Sequence, residues 1–385
     1  MSETIIYLDH AAATPLDQRV FEAMRPYMLD QFYNPSAAYA PARQVRTALS
    51  DARHRLAIVI GAKESEVVLT AGATESINLA IHGVMSGRLG NVIIGATEHA
   101  SVRAAAEQFG CRLAEADKFG IVKAGSIEKL LDDNTCLISL SMADNEIGAI
   151  QPVKEVAELV RQVRTDRLKR GIAQPLYLHS DGSQAAGQLD LNVARLGVDL
   201  LTLNAAKCYG PKQTGLLFVR TGLDLEPLIR GGGQERNLRS GTENVAGAVG
   251  FAVSLEIAES RRHRSVKELS GMRQQLADKL VDSVDGLEID GHPKRHLPGI
   301  LHISLAGLDA ERVVFGLDTR GVMVATGAAC AANKGTRSNV LQAIGMSPDQ
   351  ADGSLRISLG RTNTPKQVEK AASLIAAVIN REREL

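Results

Sequence analysis

Short apolar runs alternate with longer amphipathic stretches along most of the chain. Glu66-Val-Val-Leu-Thr70, Asn91-Val-Ile-Ile-Gly95, Cys136-Leu-Ile-Ser-Leu-Ser141, Leu176-Tyr-Leu178, the run ending at Leu203 and Gly215-Leu-Leu-Phe-Val-Arg220 have the length and polar ends of buried strands. Between them apolar residues return at helical spacing, as at Val45, Leu49, Ala52 and Leu56, in a helix that Asn34-Pro35-Ser36 is placed to cap. Pro152 opens another helix, which closes on a basic run from Arg161 to Arg170 that reads as a solvated face complementing the helix C-terminus. Strand and helix alternating over the first two-thirds predict an α/β fold with a mostly parallel sheet. A later strand, Ile300-Leu-His-Ile-Ser-Leu305, belongs to a second, smaller α/β unit. Its last helix has Thr364 as N-cap, Pro365 in the first turn, and apolar Val368, Leu374, Ile375 and Val378. A chain of 385 residues exceeds what one core usually serves. The charge-rich Glu259-Ser-Arg-Arg-His-Arg264, on a long helix leading out of the first unit, marks the boundary, with the large domain ending at 258 and the small one starting at 259.

Composition removes several function classes. Aromatic residues make up 3% and Trp is absent, which argues against a stacking platform for single-stranded nucleic acid. The formal net charge is zero, so no field draws the chain to nucleic acid or an anionic membrane. No apolar run approaches the length of a membrane span. Met1-Ser-Glu-Thr-Ile-Ile-Tyr-Leu-Asp9 lacks a basic segment followed by a long apolar one, and a cytoplasmic protein is expected. Cys111, Cys136, Cys208 and Cys330 are too few and scattered for a disulfide framework, and no Cys-x-x-Cys suggests a metal.

Lys207 is the first candidate for chemistry. It follows an apolar strand and a few small residues and precedes Cys-Tyr-Gly-Pro-Lys212. A lysine desolvated at a strand mouth loses its proton more easily and becomes a nucleophile for carbonyls, pyridoxal phosphate included; a surface lysine at a strand end fits this stretch equally well. His179-Ser-Asp181-Gly-Ser-Gln184 tips the balance, because it sets a carboxylate at another strand end, and bound pyridoxal needs one to keep its ring nitrogen protonated. Ala71-Gly72-Ala73-Thr74-Glu75-Ser76 lies between a strand and a helix, where free N–H groups face an anion; a plain Thr N-cap reads as well from the residues alone. Small residues around Cys330, from Ala325 to Gly335, describe an exposed loop that suits a reactive thiol.

Asp181-x-x-Gln184 followed by Lys207-x-Tyr-Gly-Pro-Lys resembles the cysteine desulfurases, a pyridoxal-phosphate group within the class V aminotransferases. Further motifs extend the likeness over nearly the whole chain: Tyr7-Leu-Asp9-His10-Ala-Ala, Gly72-Ala-Thr-Glu-Ser76, Thr97-Glu-His99, Asn145-Glu-Ile-Gly148, Gly231-Gly-Gly-Gln-Glu235, Arg239-Ser-Gly-Thr242-Glu-Asn244, the loop around Cys330 with Ser338 eight positions on, and Arg356-Ile-Ser-Leu-Gly-Arg361. The resemblance implies the fold type I architecture of pyridoxal-phosphate enzymes, with a large domain over 16–258 and residues 1–15 joining 259–385 in the small domain. It implies that Lys207 holds the cofactor as a Schiff base and moves the substrate's α-proton. Asp181 would face the ring nitrogen, Gln184 the phenolic oxygen and His99 the ring. Ala73, Thr74 and Asn204 would bind the phosphate, with Thr242 reaching the phosphate of a neighbouring subunit in a homodimer. Asn145 would touch both cofactor and substrate, and Arg356 would hold the carboxylate of L-cysteine. Cys330 would take the substrate's sulfur as a persulfide, leave L-alanine, and pass the sulfur to an acceptor or scaffold protein, as in iron–sulfur assembly, thionucleoside synthesis or DNA sulfur modification.

Three positions depart from the pattern. His10 and Asp144 stand where the family carries Asn, and Ala206 where it carries a phosphate-binding His. Asp144 would disfavour an anionic substrate nearby. These departures motivate a second reading, a weakly catalytic scaffold subunit, beside the alternative of a selenocysteine lyase or related enzyme on the same fold.

Overall fold

The structure, a computed structural model, describes residues 5–327 and 337–384. Its largest sheet has seven strands: β2 (Val67–Thr70), β3 (Asn91–Gly95), β4 (Gly110–Ala114), β5 (Thr135–Ser139), β6 (Tyr177–Asp181), β7 (Leu200–Asn204) and β8 (Gly215–Val219). Their order is β2-β8-β7-β6-β5-β3-β4. β8 runs antiparallel to both neighbours and all other pairs are parallel. A mostly parallel sheet with helices on both faces needs strands apolar on both sides, and β3, β5 and β8 are buried along their whole length.

Successive side chains separate onto the two faces. Ile93, Ile138 and Leu201 join a core with the helices Ala40–Ile60 and Val153–Lys169 and the first part of the helix Val245–Ser283. Val92, Ile94, Leu137 and Leu200 join another core with the helix Ala73–Met85. A separate core lies around β9 (Glu288–Asp290), β10 (Ile300–Ser304), β12 (Ala325–Thr326) and β13 (Ser354–Ser358), which form a second sheet in the order β12-β13-β10-β9. The N-terminal β1 (Ile6–Tyr7) pairs with β11 (Val322–Met323), and Ile6 and Leu8 belong to this core. The 39-residue helix Val245–Ser283 runs between the two units, giving Phe251 and Leu255 to one core and Leu276 and Leu280 to the other.

Two local expectations are corrected. Asn34 accepts the N–H of Ser36 at 2.8 Å in a turn, and the helix starts only at Ala40, with Tyr39 as an N-cap lacking a side-chain hydrogen bond. The basic run is not a solvated face throughout. Arg164 pairs with the buried Asp199. Arg167, 2% exposed, donates to the carbonyls of Asp132, Thr135 and Gln174, because its helix lays that side against the sheet.

Candidate active site

Strand register gathers the candidate residues at one edge of the seven-stranded sheet. Thr70 ends β2 and Asn204 ends β7, and both pair with Gly215 of β8 between them. The residues after β2, β3, β5, β6 and β7 therefore leave the sheet on the same side, where open α/β sheets bind ligands. Ala73 and Thr74, His99, Asn145, Asp181 with Gln184, and Asn204 with Lys207 all lie on these segments.

Lys207 ends a short 3₁₀ turn, Ala205–Lys207, in which the Asn204 side chain accepts the N–H of Ala206 at 3.1 Å. The turn aims its amine at the N-terminal segment: Nζ donates to the carbonyls of Ala11 at 2.7 Å and Ala12 at 2.6 Å. Gln184 donates to the Ala11 carbonyl at 3.0 Å, and Thr14 donates to the Ala206 carbonyl at 3.0 Å. From the other unit, Ser358 accepts the N–H of Ala11 at 2.9 Å. Residues 9–14 are thus a wedge between the two sheets. His10, 6% exposed, packs edge-on to Tyr7 and beside Tyr209, and loss of solvation lowers its pKa to about 4. It serves packing in this structure.

The helix Ala73–Met85 has Gly72 as its N-cap, with no capping side chain. Thr74 sits inside the first turn and is not the N-cap. Gly72 has φ +132°, a conformation that L side chains rarely adopt, and a Cβ there would meet nothing within 4 Å. A Cβ on Gly215 would come 2.7 Å from the Gly72 Cα, so two glycines let the turn lie close against β8. Thr74 is exposed at this N-terminus.

His99 is exposed and accepts the N–H of Ser101 at 3.1 Å through Nδ1. Loss of solvation lowers its pKa; Asp181 opposes that shift and the Lys207 charge adds to it. These two charges acting on one imidazole bring Lys207, Asp181 and His99 into a single field. Beneath it lies Glu98, 2% exposed, accepting from the N–H and the hydroxyl of Ser141 at 2.6 Å each. Burial pushes its pKa up to about 8, Ser141 opposes, and Asp181 and Asp144 add to the rise.

Arg356 reaches the cleft from β13. It is 3% exposed, pairs with Asp9 at 2.8 Å and donates to the Asn145 carbonyl at 3.2 Å. Asp144, 2% exposed, folds the turn by accepting the N–H groups of Glu146 and Ile147 at 2.8 and 2.6 Å. Asp9, Glu98, Glu146 and Ser141 escaped assignment from the sequence, although Asp9, Glu98 and Glu146 lie inside quoted motifs. Glu98 and Ser141 are buried, which a motif does not display.

Thr242 is not in this group. It is exposed and lines a second cavity with Ala71, Gln213, Arg239 and Asn244. Cys330 and the loop around it lie outside the described residues. Cys136 and Cys208 are buried, and burial pushes the Cys208 thiol up to about 11, consistent with an apolar filler beside Lys207.

The groups at the sheet edge fit pyridoxal phosphate. Lys207 offers an amine to its aldehyde, Asp181 a carboxylate to its ring nitrogen, and the uncapped turn at Gly72 a helix N-terminus and open space to its phosphate. Among the described residues no helix is long and apolar enough to cross a membrane.

The chain is similar to known proteins over nearly its whole length. The chain is 36% identical to a protein named cysteine desulfurase IscS 1 from Archaeoglobus fulgidus, over 98% of both chains. It is 35% identical to cysteine desulfurase IscS from Dictyoglomus turgidum, over 99% of this chain and 96% of that one. Among solved structures, a NifS-like protein superposes with a TM-score of 0.89 at 31% identity, covering 98% of this chain and 100% of the other. SspA in complex with cysteine superposes with a TM-score of 0.79 at 31% identity, covering 92% and 98%. The aminotransferase class-V pattern runs from residue 6 to residue 371, through the Lys207 edge and Arg356 alike, and the chain belongs to that family.

Proposed function

We propose that this chain is a pyridoxal-phosphate-dependent cysteine desulfurase, converting L-cysteine to L-alanine and keeping the sulfur as a persulfide on Cys330. The observation that carries the reading is the Lys207 amine, fixed by two carbonyls in the field that also holds Asp181 and His99. When bound, the cofactor supplies an electron sink at the substrate's α-carbon. Asp181 would keep the ring nitrogen protonated, Gln184 would hydrogen-bond the phenolic oxygen, and Ala73, Thr74 and Asn204 would hold the phosphate. Arg356 and Asn145 orient the substrate carboxylate, and Lys207 takes the α-proton at Nζ. The Cys330 thiolate attacks the substrate sulfur. The carbon–sulfur bond breaks with its electron pair on the β-carbon, which gains a proton; Lys207 returns a proton to the α-carbon as alanine forms, and Cys330 retains the substrate sulfur as –S–SH.

The persulfide needs an acceptor, for which a thiol-bearing partner protein in iron–sulfur assembly is the reading that the relatives' names support. A homodimer gives Thr242 a role, because this exposed residue would reach the phosphate of the second copy. The exposed Phe21, Met28, Leu29, Phe32 and Tyr39 offer an apolar face for the second copy. The units divide at 258/259, with 1–15 joining the small domain, and the protein is cytoplasmic.

Borohydride reduction of the loaded protein, followed by peptide mass analysis, should fix a pyridoxyl group on Lys207. Incubation with cysteine should add one sulfur to Cys330 and release alanine. Pyridoxyl mass on another lysine, or alanine formed only from selenocysteine, would overturn the reading.

A further inference from the structure

Arg356 stands against a turn that carries two acids. Nη1 donates to the Asn145 carbonyl and Nη2 pairs with Asp9, while the buried Nε has no partner among the described residues. Asp144, one position before Asn145, uses Oδ1 for two backbone N–H groups, and its buried Oδ2 has no partner either. Glu146 accepts the Ser338 hydroxyl. Directly across from Arg356 in the strand register is His302, 0% exposed, with Nδ1 on Asp290 at 2.7 Å and Nε2 unpartnered. The residue assigned to the substrate carboxylate thus has an orphaned Nε of its own, and two residues whose charges act together with it, Asp144 and His302, each carry an orphaned buried atom.

We propose that binding an amino-acid carboxylate at Arg356 drives uptake of a proton by the Asp144–Glu146 pair, so that Asp144 sets how affinity changes with pH. The inference rests on the role given to Arg356 above. An arriving anion disfavours the ionised form of each nearby acid. Both acids already bind protons more tightly than usual. Burial raises Asp144, and burial and then the Asp144 charge push Glu146 up to about 8. The groups facing the pair act in both directions: His302 of β10, with Asp290 of β9 behind it, and Arg356, with Asp9 on it, favour ionised Asp144. Glu98, which follows β3 with His99, and Asp181 of β6 add to the acid side of the cleft. The bound state therefore holds more protons than the free state, and affinity weakens as pH rises through the window near 8.

The test uses the pyridoxal-phosphate-loaded protein and L-alanine, which lacks the thiol. Titration calorimetry in two buffers of different ionisation enthalpy counts protons taken up, between about pH 7 and pH 9. Asp144→Asn keeps an acceptor for the two N–H groups and has no proton to gain. The ligand's own groups titrate alike in both proteins and cancel in their comparison. Native protein should take up more protons than Asp144→Asn, and the ratio of variant to native affinity should rise by up to about 10-fold per pH unit. Equal proton counts with a constant ratio would overturn the proposal. Glu146→Gln gives the same readout should Asp144→Asn fail to fold. Arg356→Lys separates the two claims. Unchanged alanine affinity there would refute the role of Arg356, whereas weakened affinity with native pH dependence in Asp144→Asn would refute the proton coupling alone.

Discussion

Around Lys207 the polar groups have partners of opposite character close at hand. The amine has two carbonyls, Asn204 has the Ala206 N–H, and His99 feels both the Asp181 carboxylate and the Lys207 ammonium. Around Asp144 the groups are alike. Glu98, Asp144 and Glu146 are acids held above their usual pKa by burial; Arg356, already paired with Asp9, acts on Asp144 and Glu146, and His302 on Asp144 alone. The first region is set up to hold charge in place and the second to gain or lose protons when charge arrives. Substitutions should therefore act on attachment and turnover in one region and on pH response in the other.

The largest effect is expected at Lys207. Lys207→Ala should eliminate the borohydride-fixed pyridoxyl peptide. Alanine production should fall by roughly 10²–10⁴-fold, the scale of losing a positioned acid–base group. The acid side of the cleft is untouched, so the pH dependence of carboxylate binding should persist. Turnover within a few-fold of native would place the chemistry elsewhere.

A smaller effect is expected one residue earlier. Ala206 offers the phosphate no side-chain donor. A charge-assisted hydrogen bond is worth about 1.5–3 kcal/mol, or roughly 10–100-fold in an equilibrium. Ala206→His should slow cofactor loss during dialysis by about that factor, followed by absorbance. Equal loss from both proteins would show that the cradle does not lack this contact.

The contrast between the regions also marks what the sequence reveals. Lys207, Asp181, Gln184 and Thr74 follow apolar runs directly, so their place at the ends of parallel strands could be read from the order of strands and helices alone. Arg356 needed its motif, because β13 lies in another sheet and reaches the cleft only through Asn145 and the wedge at residues 9–14. Asn34 and Arg167 misled for related reasons. An Asx turn and a helix cap share one sequence signature, and a basic helix end does not disclose which of its arginines faces the sheet. Glu98 and Glu146 were legible as letters inside motifs and illegible as acids, since a high carboxyl pKa comes from water excluded by distant parts of the chain.

Glu98 allows that last point to be tested through stability. Its carboxyl is fully buried and its pKa stands at about 8, against 4.5 for an ordinary glutamate. The folded protein keeps a proton that the unfolded chain releases above about pH 4.5. Below that pH both states hold the proton and the group is neutral to stability. As pH rises towards about 8 the unfolded state gains, and stability falls by up to about 1.4 kcal/mol per pH unit. Glu98→Gln retains an acceptor for the Ser141 N–H and has no proton to release. Urea midpoints should show the variant gaining on native between pH 5 and pH 8, with the difference levelling off once Glu98 ionises in the folded protein. A native–variant difference that stays constant from pH 5 to pH 8 would mean that Glu98 is held ionised in the folded protein, and the acid side of the cleft would then be a field of fixed charges.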